Sequence, residues 1–392
     1  IKFNLDASGT DLRDLSGQLY FEANKLNVTP WLGSIFAIEN EKTSSSVNFS
    51  AWYTLNKGKA NKLQIALGDN EVSWMFKNQL QSLRLDKGNI LVENFDDATN
   101  RVTTTTPLIF YTNNQAWQPL TVHNKRTATG YLTHISSLEL FGLANLYPLF
   151  SGHPESQKLL NNLAPVGQIS DVYLLKNGDD IKAHARFSEA TSFFSQGIPG
   201  VENVSGELSF NKQHLNIALL AENGQLNFEK HFLYPIPYQS IAAQVDVDFT
   251  TTDLSLKVSH IELKSEQLHA TAELEIKSLE NEALHMALLA NVHRGDLKFA
   301  HYYYPHLLMG EDLVNYLNLA IIEGKVEQAK VIFNGPLNKF PFNNDNDNGI
   351  FVVDAELTES KFQFDPNWPV INDFAAHLNF TSNSMLITSR GG

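Results

Sequence analysis

The chain has 392 residues, of which 43% are hydrophobic and 18% are charged, and its formal net charge at pH 7 is −14. This composition is that of a folded protein and excludes a disordered chain. The negative charge excludes nucleic acid as a partner and disfavours unaided docking on anionic membranes, because both surfaces carry phosphate. The absence of cysteine excludes disulfides, thiol nucleophiles and cysteine metal sites.

Apolar and polar residues alternate with a period of two along most of the chain, the pattern of β-strands with one apolar and one polar face. Short turn signals separate successive runs, which predicts an antiparallel meander wetted on its polar side. The apolar positions of the clearest runs are Val47, Phe49 and Ala51; Leu63, Ile65 and Leu67; Val245, Val247 and Phe249; Leu254, Leu256 and Val258; Ala270, Ala272 and Leu274; and Leu288.

Two segments interrupt the strand pattern. Residues 138–147 are apolar nearly all round and stop at Pro148, and Pro154 opens a second helix with an apolar face at helical spacing. Residues 311–322 carry apolar residues at helical spacing, which predicts a further helix, and Gly324 suits the C-terminal end of that helix. There is no alternation of strands and helices along the chain, so a parallel α/β enzyme fold is not expected.

The chain contains no nucleophile elbow, phosphate loop or dinucleotide fingerprint. Asp246 and Asp248 lie on the polar side of a strand, where a solvated face is the favoured interpretation. His301 and His306 are five residues apart beside three tyrosines, a spacing that favours aromatic packing over metal binding. We therefore predict that the chain is not an enzyme, with no catalytic residues, no metal site and no cofactor.

A polar stretch at residues 343–348 resembles a calcium loop on first inspection. If the loop begins at Asp345, Glu356 takes position twelve, but Gly349 then falls at position five, where calcium loops need an oxygen ligand. A polar turn is the better interpretation, because Asn, Asp and Gly form turns without any metal.

The fold class expected from these patterns is mainly β. We predict a long, twisted antiparallel meander curled into an open groove, with two short helical insertions, because the helices are too few to cover its apolar face. A closed sandwich core is the alternative, and the sequence leaves it open. We expect one continuous sheet, a fragment of a longer chain, with segments 1–130 (β-meander), 131–200 (helical insertion and connecting strands), 201–300 (β-meander) and 301–392 (short helix and β-meander).

Several short motifs, in this order and spacing, resemble the YhdP family of AsmA-like bacterial envelope proteins. The resemblance covers roughly residues 130–392, and Tyr316 departs from it where the family pattern has Trp. Residues 136–167 resemble the family's helical segment, and the other motifs are Ile198-Pro199-Gly200-Val201, Val204-Ser205-Gly206-Glu207-Leu208, Tyr303-Tyr304-Pro305, Leu337-Asn338-Lys339-Phe340-Pro341-Phe342, Gly349-Ile350-Phe351 and Trp368-Pro369-Val370-Ile371.

The resemblance implies a periplasmic protein, anchored in the inner membrane through parts outside this chain, that carries phospholipid between the inner and outer membranes. Its ligands would then be phospholipid acyl chains, bound along the apolar positions given above; its protein partners stay unknown. Two other functions stay open, a scaffold for outer-membrane protein assembly or envelope integrity, and an enzyme that acts on envelope polysaccharide.

Overall fold

Strands make up most of the structure, as the period-two alternation predicts. This computed structural model describes residues 2–8, 11, 13, 15–33, 36, 42–76, 78–94, 99–150, 154–249, 254–278, 283–342, 347–382 and 384–391. Over these residues, all strand pairs whose register is known run antiparallel. The helices are short, so the predicted mainly β fold is confirmed. The chain divides into two units, Ile1–Ser188 and Glu189–Gly392.

The first unit contains strands β1 to β13 and most of β14, with three α-helices. Its strands are β1 Lys2–Ser8, β2 Ser16–Leu26, β3 Thr43–Asn56, β4 Lys59–Leu67, β5 Asn70–Phe76, β6 Gln79–Leu85, β7 Gly88–Glu93, β8 Arg101–Thr106, β9 Phe110–Thr112, β10 Gln115–Ala116, β11 Val122–Arg126, β12 Gly130–Glu139, β13 Val166–Asn177 and β14 Asp180–Ser192. Its helices are α1 Thr29–Leu32, α2 Leu140–Phe150 and α3 Pro154–Leu163.

The strand order of the first unit departs from a simple meander at β5. Strand β4 pairs with β3 and β7, whereas β5 pairs with the first four residues of β3 and begins a smaller sheet with β6, β9 and β10. The turn that leads into β5 is fixed to the middle of β3, since Gly68 N donates to Asn48 O at 2.9 Å and Asn48 N donates to Asn70 Oδ1 at 2.6 Å. Strand β3 therefore belongs to both sheets.

Helix α2 and the two sheets share a closed core at one end of the first unit. Trp117 is 7% exposed, and its indole Nε1 donates to Thr112 Oγ1 at 3.0 Å. Gly142 of α2 lies against this ring so closely that a Cβ atom there would lie 2.1 Å from Trp117 Cζ2. Apolar side chains of the larger sheet, the smaller sheet and α2 pack around Leu108, Trp117 and Leu120, among them Leu67, Ile90, Leu85, Phe110 and Phe141.

The second unit contains a meander of ten strands with two α-helices inserted before β21. Its strands are β15 Gly200–Asn211, β16 His214–Asn227, β17 Ile236–Phe249, β18 Leu254–Lys264, β19 Leu268–Ser278, β20 His285–Asp296, β21 Ile321–Pro336, β22 Ile350–Phe362, β23 Ile371–Thr381 and β24 Ser384–Gly391. Its α-helices are α4 His306–Met309 and α5 Glu311–Ala320, and its 3₁₀ segments are Glu229–His231, Leu297–Tyr303 and Leu337–Lys339.

From β15 to β24 each strand pairs with the next one in the sequence. Among the described residues no pairing joins β24 back to β15, so the sheet of this unit is open. Register shifts interrupt most of these pairings, for example between Val258 and Ile261. His260 (φ 52°), within that shift, and Glu359 (φ 51°), within a shift in β22, have left-handed backbones. Such bulges bend a strand and increase its twist.

The structure corrects two predicted helix ends. Helix α2 continues through Pro148 to Phe150, because only one backbone donor is lost there and the following Leu149 is buried at 4% exposure. Helix α5 ends at Ala320 and passes directly into β21, so Gly324 is a strand residue. Gly324 (φ 148°) allows β21 to lie close to Ser360 of β22, since a Cβ there would lie 2.6 Å from Ser360 Oγ. The helix predicted from Pro154 is confirmed.

Candidate functional site

The second unit presents one continuous apolar face, which we call the apolar face. It is built from cross-strand rows in which each residue lies directly opposite the next. One row is Leu208, Ile217, Val245, Val258, Leu274, Leu288, Phe333 and Phe351. A second row crosses all ten strands through Val204, Ala221, Ile241, Leu263, Ala270, Val292, Ala329, Ala355, Leu378 and Ile387.

The middle of the apolar face is only partly buried. Val245, Val258, Leu274 and Leu288 keep an intermediate exposure, although each has apolar neighbours on both adjacent strands. In a two-layer sandwich such residues interdigitate with a facing sheet and form the buried core. Here the fully buried members of the rows are mostly small or near the ends of the strands, such as Ala221 at 2% and Phe333 at 3% exposure.

Both ends of strands β21 to β23 are covered. At one end α5 packs on the face through Ala320, which contacts a buried cluster that includes Phe362 and Phe374. At the other end Phe340 and Phe342 pack on Phe333, with ring centroids 5.7 and 5.3 Å apart. Phe342 reaches this position because Gly349 lacks a Cβ, which would lie 2.2 Å from its Cε1. The open stretch of the face therefore lies between two apolar caps.

The opposite face of the same strands is polar and internally paired. Asp246 accepts a hydrogen bond from Asn216 Nδ2 at 2.7 Å, and Glu262 forms an ion pair with Lys264 Nζ at 2.7 Å. One cross-strand row on this face reads Glu262, Thr271, Asn291, Lys330, Asp354 and Asn379. Along this row the polar side chains offer little apolar contact, so the two faces differ in the kind of ligand that they suit.

Asp354→Asn tests the electrostatics of the polar face. His377 Nε2 lies 3.0 Å from Asp354 Oδ1, and this hydrogen bond, with that from Asn379, lowers the pKa of Asp354. A lowered carboxyl pKa stabilises the fold above the ordinary pKa, and the contribution is lost as pH falls through the lowered value. We expect the variant to melt slightly below the parent protein at pH 7, by a small margin because the site is exposed. The gap should close below about pH 4; a gap that persists there would indicate lost packing instead.

The structure places most of the predicted lining residues of the second unit on the apolar face. The middle of its first row consists of Val245, Val258, Leu274 and Leu288. In a third row of the same face, Val247 lies directly opposite Leu256. The other members are Ala270 in the second row, Ala272 opposite Ile261, and Phe249, which is 41% exposed at the end of β17. The side chain of Leu254 lies outside the described residues.

The predicted lining residues of the first unit lie on β3 and β4. Phe49 lies opposite Leu67 and Ala51 opposite Ile65, and these side chains are partly buried except Ala51, which is 5% exposed. The remaining two are Val47, opposite Leu26, and Leu63, opposite Tyr53 and Val92. Leu67 packs against the closed core under α2, so this end of the first unit is more enclosed than the middle of the apolar face.

The other candidate sites of the sequence have structural partners. Asp248 lies 2.8 Å from His214 Nδ1 on the polar face, next to Asp246. His301 packs on Tyr302 and Tyr234, with ring centroids 4.7 and 5.6 Å apart. In the described part of the chain no three His, Asp or Glu side chains lie close enough together to hold a metal ion. Residues 343–346, within the calcium-like loop, lie outside the described residues.

A cavity of about 350 Å³, which the sequence did not predict, lies beside α5. It is lined by Leu297, Lys298, His301 and Tyr304 of the segment before α4, and by residues of α5 and β21. Burial raises the pKa of Tyr304 to about 12, so its hydroxyl stays protonated at neutral pH. An adjoining narrow apolar slot opens on the ends of β21 to β24 near Phe362 and Ile387. Among the described residues no helix has the length and apolar character needed to cross a bilayer.

Together these features define an open antiparallel β-sheet protein with one apolar and one charged face and short helical caps. The chain belongs to the YhdP protein family, whose sequence profile matches residues 1–392. The match therefore includes the first 130 residues, which the sequence motifs alone did not connect to the family. No solved structure matches the chain significantly.

One curated relative is the "Intermembrane phospholipid transporter YhdP" of Escherichia coli (strain K12). The two sequences are 24% identical over 400 residues, which cover 97% of this chain and 31% of the relative. The chain thus spans about a third of the length of the relative it matches.

Proposed function

We propose that this chain is a segment of a lipid-transfer protein that carries phospholipid acyl chains along its apolar face. The observation that carries the proposal is the ten-strand apolar face whose central side chains stay partly exposed, with a polar face behind it. The name of the Escherichia coli relative, an intermembrane phospholipid transporter, supports the same ligand class. The proposed lining comprises the apolar residues predicted from the sequence in both units.

The energetics of acyl chains suit such a surface. Each methylene group removed from water contributes roughly 0.8 kcal/mol, so about ten of them contribute roughly 8 kcal/mol, comparable to micromolar affinity. No specific polar contact is required for this gain, because the hydrophobic effect is non-directional. A chain bound this way can slide along a uniform row of Val, Leu and Ile side chains, since neighbouring positions offer similar contact.

The location follows from the same proposal. We place the chain in the periplasm of a Gram-negative envelope, between the inner and outer membranes, with the inner-membrane anchor in parts outside this chain. Phospholipid would enter from one membrane and leave to the other. The relative's name supports an intermembrane role, and the resemblance to envelope proteins supports the compartment.

Co-purification of lipid tests the proposal. Protein purified from a Gram-negative host without detergent should release phospholipid on denaturation, detected by mass spectrometry in near-stoichiometric amounts. An unrelated acidic protein, purified in parallel, controls for carry-over. Protein that is lipid-free and also fails to take up a fluorescent phospholipid would contradict the proposed function and favour a scaffold role.

A further inference from the structure

The cavity beside α5 combines groups that suit the two halves of a phospholipid. Lys298 and His301 provide cationic or hydrogen-bonding nitrogens, and the chain has a net charge of −14, yet no carboxylate lines the cavity. The described residues give the Lys298 ammonium no ion-pair partner, and it lies 6.0 Å from the centroid of the Phe299 ring. The lining of the cavity therefore carries a positive and no negative side chain, which complements a phosphate group.

The Tyr304 hydroxyl adds a neutral donor to the same cavity. Burial raises the pKa of Tyr304, and among the described residues no side chain or backbone group forms a hydrogen bond with its hydroxyl. The neighbouring Tyr303 differs, since its hydroxyl lies 3.3 Å from Ser265 Oγ. The half-buried hydroxyl of Tyr304 is thus able to donate a hydrogen bond to a ligand oxygen in the cavity.

The apolar half of the cavity leads to the apolar face. The cavity and the adjoining apolar slot share three lining residues, Leu297, Leu317 and Ile321. The slot continues to Leu378 and Ile387 of the second row. The slot is narrow, about 30 Å³, so an acyl chain would lie along its opening over the sheet. The cavity volume of about 350 Å³ lies within the range of roughly 300–1,000 Å³ found for small-molecule sites.

Apolar side chains share the lining of the cavity with these polar groups. They are Leu297, Leu317, Ile321 and Ile322, of which Ile322 is 38% exposed. A cationic group beside an apolar lining fits an amphiphile better than a free inorganic ion, which would gain nothing from the apolar side chains.

We propose that this cavity is a headgroup site for an anionic phospholipid, in which Lys298, His301 and Tyr304 face the phosphate and the acyl chains run over Leu317 and Ile321 to the apolar face. The site fixes the headgroup of one lipid beside α5, so that its acyl chains begin on the apolar rows between the two caps. The inference rests on the proposed function and adds to it a place where the phosphate is recognised.

Two short-chain lipids that differ only in the headgroup test the site. Dioctanoyl phosphatidylglycerol and dioctanoylglycerol are titrated into delipidated wild-type chain, Lys298→Gln and Tyr304→Phe. Loss of a charge-assisted contact should weaken phosphatidylglycerol binding about tenfold in Lys298→Gln, and loss of one neutral hydrogen bond about threefold in Tyr304→Phe. Binding of dioctanoylglycerol should not change in either variant.

Lys277→Gln is the matched control. It removes the same charge from the polar face, where Lys277 pairs with Glu275 at 2.9 Å, and should change the binding of neither lipid. Equal effects of the two lysine variants would mean that net charge, and no defined site, attracts the lipid. Inorganic phosphate, titrated alone, should bind far more weakly than the lipid; equal affinity would overturn the assignment to a lipid.

The outcomes separate this site from the proposed function. If wild-type chain binds both lipids equally and Lys298→Gln changes neither affinity, the headgroup site is wrong while lipid carriage stands. If wild-type chain binds neither lipid, the proposed function fails and the headgroup site fails with it. Melting temperatures of the three variants should match the parent protein within a few degrees, which excludes unfolding as the cause of lost binding.

Discussion

Leu256→Lys is expected to reduce the phospholipid bound per chain about tenfold while the protein stays folded. Leu256 lies between Val247 and Ile276 in the third row of the apolar face and is partly exposed. The lysine ammonium can reach water from this position, so we expect a loss of about 1 kcal/mol in the free energy of unfolding. Acyl chains cannot pass over the ammonium without stripping its water, which costs several kcal/mol.

Lipid load and melting temperature should be measured on the same preparation of Leu256→Lys. Glu273→Lys supplies the control, because it introduces the same ammonium group on the exposed polar face and should change neither quantity. Collapse of the melting transition in Leu256→Lys, with a parent protein that binds no lipid, would show that the face is a closed core. Normal lipid load in a folded variant would place the lipid elsewhere.

Trp117→Ala should produce the largest loss of stability, about 3–5 kcal/mol, because a buried indole leaves a large cavity. The residue is 7% exposed and joins the two sheets of the first unit to α2. The substitution also removes the donor to Thr112, a side chain that is 1% exposed. For a unit of this size the change corresponds to a fall in melting temperature of roughly 10 °C.

Chemical denaturation would measure this loss, with two comparison variants. Trp117→Phe retains a ring and loses the N–H donor, so it should cost about 1–2 kcal/mol. Trp368→Ala removes the same side chain from a position that is 63% exposed and should change stability by no more than about 0.5 kcal/mol. Similar losses at positions 117 and 368 would contradict the packing described under α2.

The sequence predicts the central strands well because their alternation is uninterrupted. In β17, β19 and β20 the apolar positions keep a strict period of two over most of each strand, and each strand forms where predicted. Strand β21 lacks such a regular alternation, since its register shifts near Glu323 and Val326 change which face consecutive residues occupy. The sequence pattern therefore did not predict the rows of the apolar face that run through β21 to β24.

Long-range pairings set the second limit. The alternation of Val72, Trp74 and Phe76 indicates strand β5, but its pairing with the start of β3 depends on the anchoring of a turn at Asn48, which no local pattern encodes. The closed core around Trp117 has the same origin, because its members come from separate strands and a helix. Periodicity reports which side of a strand is apolar and cannot report what lies above it.

The cavity beside α5 gave no signal in the sequence. Lys298 and Tyr304 belong to the segment before α4 and Leu317 belongs to α5, and each residue taken alone suits ordinary packing or solvation. The aromatic packing predicted around His301 is confirmed by its contacts with Tyr234 and Tyr302. Only the fold shows that the same histidine also lines a cavity.

Because in the described part of the second unit each strand from β15 to β24 pairs only with its sequence neighbours, this unit behaves as a one-dimensional array. Inserting one strand would reverse the direction of all that follow, whereas inserting a hairpin preserves both direction and face. Away from the two caps, the length of the array is thus free to change in steps of two strands while the direction and face of the other strands are kept. Gene segments that encode whole hairpins could therefore lengthen or shorten such a sheet.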